Sequence, residues 1–293
     1  MHWVMSMDER NDIAVVGLGA IGLPVAINAA KSGLRVQVWN RSPEKCLRAV
    51  EHGALAASQL SEIDAHLVVS VLPNLMELEW ALNAGLEQSL KPGDLVVIMS
   101  TVSPVGVREL GQRLAAIKVG TIDAPVSGGD VGAWDASLSI MCGGEAPDIE
   151  RCARFFGAVG SVVRHFGPLG SGEVVKAINQ IVVASTLATL GEALNLARLA
   201  QLDVTEVIEV LEGGLAGSRA LEVKREKFIS QNYQPGGSAT FQLKDLNFAK
   251  ELGESLGAKI PITEQVRSLY SEMVAQGYGD LDHSGIAIMS KNQ

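Results

Sequence analysis

Three short stretches of this chain hold residues whose types and spacing could do chemistry. The first is Gly17-Leu18-Gly19-Ala20-Ile21-Gly22, a GxGxxG directly after the β-branched run Ile13–Val16 and directly before a helical pattern. In that setting the first glycine permits a tight turn. The second lets backbone approach a pyrophosphate, and the third lets helix and strand pack closely. The N-terminus of the following helix offers free N–H groups and the positive end of its dipole to the phosphates. The spacing therefore predicts a dinucleotide site at residues 17–22. At the end of the second strand, an acidic residue would bond a ribose 2′-hydroxyl. This chain has Asn40-Arg41-Ser42 there instead. No carboxylate stands at that point to repel a 2′-phosphate, and Arg41 can pair with one, so NADP is favoured over NAD.

The second stretch is Asp123-Ala124-Pro125-Val126-Ser127-Gly128-Gly129. Ser127 brings a hydroxyl, and Gly128 and Gly129 bring N–H groups without side chains, a combination suited to a carboxylate. The third runs from Gly170 to Gln180, with Lys176 near a helix start marked by glycines. The positive helix end disfavours a charged lysine there, and burial would do so further. A lysine so placed suits proton exchange with a hydroxyl or carbonyl oxygen. Asn179 and Gln180 follow at i+3 and i+4, on the same helical face.

The elements that must position these residues can be read from periodicity. Ile13–Val16, Arg35–Trp39, His66–Leu72 and Leu95–Met99 read as strands, with Thr121–Ile122 and Leu138–Met141 as further ones. Helical stretches lie between them, so the first half predicts a parallel sheet covered on both faces. After His165 no strand pattern remains. Glu173–Ala200 reads as one long helix broken only at Gly191, and Asp203-Val204-Thr205-Glu206 as a capping box opening the next. Further helices are expected over Arg219–Ile229, Phe241–Leu256 and Ile262–Gln276. The organisation is thus a tail over 1–11, an α/β Rossmann-type domain over 12–167, and an all-α domain over 168–293 joined through a long helix.

Composition narrows the class. A 293-residue chain that is 47% apolar can bury two domain cores. A formal net charge of −9 speaks against nucleic acid or an anionic membrane as partner. Cys46, Cys142 and Cys152 are odd in number and unpaired in spacing, which suits a reducing cytosol and gives neither a disulfide framework nor a thiolate metal site. No metal is expected, since His, Asp and Glu show no ligand spacing. The N-terminus lacks a signal-peptide pattern, and no uncharged apolar run reaches the roughly 20 residues of a membrane helix. A cytoplasmic protein follows. His165 and His283 are expected to be structural.

The chain resembles the β-hydroxyacid dehydrogenase family, the 3-hydroxyisobutyrate dehydrogenase-like proteins. GLGAIGLP (17–24), STVSP (100–104), DAPVSGG (123–129), GSGEVVKAINQ (170–180) and FQLKDL (241–246) match its motifs in order and spacing. The resemblance implies an NAD(P)-dependent oxidoreductase. Lys176 matches the family's catalytic lysine, and Ser127, Gly128 and Gly129 match its carboxylate-binding segment. Asn179 and Gln180 match a polar pair at the substrate, with either one as the contact. Leu72, Pro73 and Thr101 fall in segments lining the cofactor, with Ser103 close behind, and Lys244 matches a lysine near cofactor and substrate. Asn-Gln after the lysine, Gly213-Gly214-Leu215-Ala216-Gly217-Ser218 and Leu281-Asp282-His283-Ser284 resemble the tartronate semialdehyde reductase branch. Reduction of tartronate semialdehyde to glycerate, in a homodimer or homotetramer, is the expectation.

Other activities stay in view: oxidoreduction of 3-hydroxyisobutyrate or of succinic or glyoxylic semialdehyde, imine reduction, and non-enzymatic regulation. Lys176 speaks against the last two, whose members tend to lack it. The chain is too short for 6-phosphogluconate dehydrogenase. Three departures stand out: Ile21 where Met is common, Ala136-Ser137 where Gly-Thr is usual, and Trp134, expected to add bulk near the substrate loop.

Overall fold

The computed structural model describes residues 10–234 and 236–290. They form two compact units, one ending at Lys176 and the other beginning at Ala177.

In the first unit, β1 (Asn11–Val16), β2 (Val36–Trp39), β3 (Leu55–Ala56), β4 (Ala65–Ser70), β5 (Leu95–Ile98) and β6 (Gly120–Asp123) form one sheet. Every pairing is parallel and the order is β3-β2-β1-β4-β5-β6. The alternating side chains of β1 explain its unbroken apolar run. Ile13 and Val15 enter one core, Ala14 and Val16 the other, and all four are fully buried. The helices α1 (Gly22–Lys31), α2 (Cys46–Val50), α3 (Leu75–Ala81), α4 (Glu87–Ser89) and α5 (Pro104–Ala116) connect the strands. Residues of α1 and α2 pack in the first core and residues of α3 and α5 in the second. In such a sheet a ligand binds beyond the strands' carboxyl ends where the order reverses, here between β1 and β4.

Leu138–Cys142 (β8) does not extend this sheet. It pairs with β7 (Val126–Ser127) and β9 (Gly160–His165) in a separate three-stranded sheet, with α6 (Gly129–Trp134), α7 (Ala146–Arg151) and α8 (Ala153–Val159) between its strands. β9 alternates with little burial, so no apolar run marked it. The first described residues lie inside the tail expected over 1–11. β1 starts at Asn11, and Arg10 bonds Asp64 and the buried Asp94 at 2.7 and 2.8 Å.

The helix α9 (Ser171–Leu199) begins in the first unit and continues through the second. It is unbroken at Gly191. A Cβ there would lie 2.7 Å from the Cα of Ala287, so that glycine is a packing site within the helical unit. By length and composition α9 could cross a bilayer, a possibility the expectation of no such run had excluded. Ala184, Leu187 and Leu194 on it are buried in the core of the helical unit. That unit adds α10 (Val204–Gly213), α11 (Arg219–Ser230), α12 (Ala239–Leu256), α13 (Pro261–Met273) and a 3-10 turn over His283–Ser290. Asp203 caps α10 by accepting from the N–H of Thr205 at 2.7 Å.

Candidate active site

The three glycines of the fingerprint meet different surroundings. Gly17 has φ +98°, and a Cβ on it would lie 2.7 Å from the carbonyl oxygen of Val71, just past β4. A Cβ on Gly22 would lie 1.9 Å from the carbonyl oxygen of Gly17. Neither position tolerates a side chain. At Gly19 a Cβ would meet nothing within 4 Å. Open space thus stands at the position where backbone must face a pyrophosphate, and these residues fit a dinucleotide. Leu72 Cδ2 reaches within 3.0 Å of the Cβ position of Gly17, which brings that expected cofactor residue to the fingerprint. Its carbonyl accepts from the hydroxyl of Ser100, beside Thr101. Ser103 accepts the N–H of Gly106 and caps α5, so its hydroxyl has a structural task.

Asn40 Oδ1 accepts the N–H of Leu18 at 2.8 Å, and its Nδ2 donates to the carbonyl of Ser42 at 3.1 Å. Its amide therefore ties the glycine loop to the end of β2. Arg41 reaches outward and is 74% exposed, with Nη1 3.7 Å from Glu77 Oε2 on α3. Trp39 faces Trp80 of the same helix, ring centroids 6.1 Å apart. A cavity of about 460 Å³ is lined by Gly19, Ala20, Leu23, Arg48 and Trp134. The Trp134 ring covers the Arg48 guanidinium at 5.2 Å. Trp134 was expected near the substrate loop. It ends α6, which starts at Gly129 of that loop, and its ring meets Arg48 of α2 beside Gly19 and Ala20.

Lys176 is buried, and its Nζ donates to the carbonyl of Val126 at 2.8 Å. This bond sets the lysine against β7, one residue before Ser127. Gly128 and Gly129 follow with φ of +133° and +64°, and a Cβ on Gly129 would meet nothing within 4 Å. The predicted lysine and Ser-Gly-Gly segment are therefore neighbours in space.

Two carboxylates that spacing alone did not single out complete this arrangement. Asp123, at the end of β6, is fully buried and accepts from the N–H groups of Gly170 at 2.7 Å and Glu173 at 2.8 Å. It caps the start of α9 from another element. Burial nonetheless pushes its carboxyl above the ordinary 3.8, against those hydrogen bonds. Glu173, also buried, accepts from the N–H of Val102 at 3.1 Å. The helix start is thereby tied to both the 123–129 and the 100–104 segments. The sequence signal for Asp123 was its place at the head of DAPVSGG.

In the helical unit, Asn179 Nδ2 donates to Gln180 Oε1 at 2.9 Å. Gln180 Nε2 in turn donates to Asp245 Oδ2 at 2.7 Å, beside Gln242 and its neighbour His283. Lys244 stands 3.7 Å from Asp245 and near the rings of Phe241 and Phe248. In the first unit, His165 Nε2 faces the carbonyls of Gly144 and Gly167.

The chain is similar to known proteins along most of its length. The model for the NAD-binding domain of 6-phosphogluconate dehydrogenase matches residues 12–167. The model for the NAD-binding region of NADP-dependent 3-hydroxyisobutyrate dehydrogenase matches residues 170–289. The 2-hydroxy-3-oxopropionate reductase of Escherichia coli K12 is 33% identical over 278 residues, 94% of this chain and 95% of that one. The chain belongs to the β-hydroxyacid dehydrogenase family. Another relative in that family, the 2-(hydroxymethyl)glutarate dehydrogenase of Eubacterium barkeri, is 31% identical over 96% of this chain and 95% of its own. A crystal structure of 3-hydroxyisobutyrate dehydrogenase from Salmonella typhimurium superposes with a TM-score of 0.90. It is 25% identical and covers 95% of this chain and 99% of that one. This β-hydroxyacid dehydrogenase is therefore an NAD(P)-dependent enzyme acting on small substrates.

Proposed function

We propose that the chain reduces a small carboxylate-bearing semialdehyde to the hydroxy acid with NADPH, and that tartronate semialdehyde to glycerate is its reaction. The observation that carries this reading is the 2.8 Å bond that sets Lys176 beside Ser127-Gly128-Gly129. It brings a proton donor next to a carboxylate-binding segment. The reductase from Escherichia coli K12 supports the choice of substrate, together with the Asn-Gln pair after the lysine. Arg41 supports the choice of NADPH.

The reduced nicotinamide, when bound, supplies the hydride. Residues 17–22 would hold the pyrophosphate, with Leu72 and Pro73 beside the cofactor and Thr101 in the segment that would flank the nicotinamide. Ser127 Oγ and the N–H groups of Gly128 and Gly129 hold the substrate carboxylate, which fixes the aldehyde relative to Lys176. Protonated Lys176 gives its proton to the oxygen that becomes the hydroxyl. In the reverse direction neutral Lys176 accepts that proton. Asn179, Gln180 and Lys244 are assigned to substrate and cofactor on the resemblance. Positioning and electrostatics are the protein's share of the rate. We also assign the enzyme to the cytosol, where its three buried free thiols stay reduced. We further assign a homodimer or homotetramer, assembled through helices such as α9, whose Ile178 and Val182 are exposed.

The test is cofactor oxidation by the wild-type enzyme with tartronate, succinic, methylmalonate and glyoxylic semialdehydes, each with NADPH and NADH. Tartronate semialdehyde with NADPH is expected to be fastest, at about 1–10³ s⁻¹. A different preferred aldehyde would overturn the substrate, and no turnover with any of them would overturn the activity.

A further inference from the structure

Resting on the reading of Arg41 as the 2′-phosphate contact, we propose that Glu77 is a second determinant at the cofactor's 2′ position and sets the enzyme's preference between NADP and NAD. The end of β2 lacks the acidic residue that would bond a 2′-hydroxyl, and has Asn40-Arg41-Ser42 in its place. The structure brings a carboxylate to that place from another element. Glu77 lies in the first turn of α3, where its N–H donates to the side chain of Asn74 at 2.9 Å, so its backbone is fixed. One turn further along α3, Trp80 meets Trp39, the last residue of β2. The cap fixes the first turn of α3, and the Trp pair sets that turn against the end of β2. Glu77 Oε2 then stands 3.7 Å from Arg41 Nη1.

The two cofactors ask opposite things of this pair. A 2′-phosphate carries close to two negative charges and must take Arg41 from Glu77 while being repelled by it. A 2′-hydroxyl brings no charge and can donate to the Glu77 carboxylate, as it would to an acidic residue at the end of β2. Arg41 is 74% exposed and Glu77 31%, so both groups are open to a ligand and neither is locked by burial. An exposed pair at this distance is weak, and a phosphate with good geometry can displace it. Glu77 thus weakens NADP binding without abolishing it and supports NAD binding, and the ratio between the two is its output.

Calorimetric titration with NADP⁺ and with NAD⁺ tests this on the wild type and on Glu77→Gln, Arg41→Ala and the double variant, with melting temperatures recorded alongside. Glu77→Gln is expected to tighten NADP⁺ by about three- to tenfold and to weaken NAD⁺ by about two- to fivefold. In the double variant the effect of Glu77 on NADP⁺ is expected to shrink to its direct repulsion of the phosphate, because no guanidinium remains to compete for. If Glu77→Gln shifts both dissociation constants equally, or neither, the residue only docks α3 and the proposal is overturned. Arg41→Ala separates the two readings. If it leaves the NADP⁺ to NAD⁺ ratio unchanged, the role of Arg41 fails and that of Glu77 falls with it. If it lowers NADP⁺ affinity while Glu77→Gln is silent, Glu77 alone is refuted.

Discussion

Asp123 shows how a single buried carboxylate can govern a site it does not enter. Its two oxygens accept from Gly170 and Glu173, and so hold the first turn of the helix that carries Lys176. Asp123→Ala would leave those buried N–H groups without acceptors. A loss of about 1–3 kcal/mol of unfolding free energy is expected, read from urea midpoints. A fall in kcat is expected with it, since Lys176 lies three residues beyond Glu173. The thiols make a pH-dependent case. Burial pushes Cys142 and Cys152 from the ordinary 9.0 up to about 12. Both should resist alkylation at pH 8 in the folded protein and react at once in denaturant. Their contribution to stability is full below about 9, where folded and unfolded chains are both protonated. It is lost as pH rises toward about 12, because only the unfolded chain releases the protons. Replacing both by Ala should flatten the stability curve over that window, and an unchanged slope would contradict it. At this scale Lys176, Ser127 and the glycines were legible because motif spacing carries them. The cap from Asp123 and the pairing of Arg41 with Glu77 were not, because each joins residues more than 30 positions apart.

The elements were legible in proportion to how strongly burial patterned them. β1, β4 and β5 are buried on both faces and announce themselves as apolar runs. β3, β7 and β9 do not, being two residues long or largely exposed. The second sheet was therefore hidden and β8 was counted with the first. The turn between α6 and β8 shows a local cost. Ala136 has φ +52°, in the left-handed region that disfavours an L side chain, at the position where the family resemblance led to an expectation of glycine. Ala136→Gly is expected to raise stability by about 0.5–1 kcal/mol, the relief of strain outweighing the added freedom of the unfolded chain. Equal or lower melting temperature would show that the turn is not strained. The opposite case is Gly191, which the sequence suggested as a break in α9. Its Cβ position lies 2.7 Å from Ala287, so Gly191→Ala should destabilise the helical unit by about 1–3 kcal/mol through overpacking. A melting temperature equal to the wild type would show that the helix and the 3-10 turn can yield.

At the scale of the whole molecule, the sheet order places the ends of β1, β2 and β4 together, and with them the glycine loop, Arg41 and Leu72. A second, smaller sheet carries Val126, whose carbonyl accepts from Lys176, and Ser127 next to it. The helix α9 carries Lys176 in the first unit and Asn179 and Gln180 in the second. The alternation of strands and helices was enough to expect the fold, and the family's motifs were enough to expect the site. Substrate identity is finer than either, because relatives about as similar as one another act on different small acids. Lys176 is proposed as the proton donor of semialdehyde reduction. The most direct test of that role is the rate of NADPH oxidation with tartronate semialdehyde in the wild type and in Lys176→Ala, with NADPH affinity measured for both. For Lys176→Ala the expected result is a kcat lower by about 10²–10⁴ with NADPH binding unchanged. A variant that binds NADPH and turns over within about threefold of the wild type would contradict it.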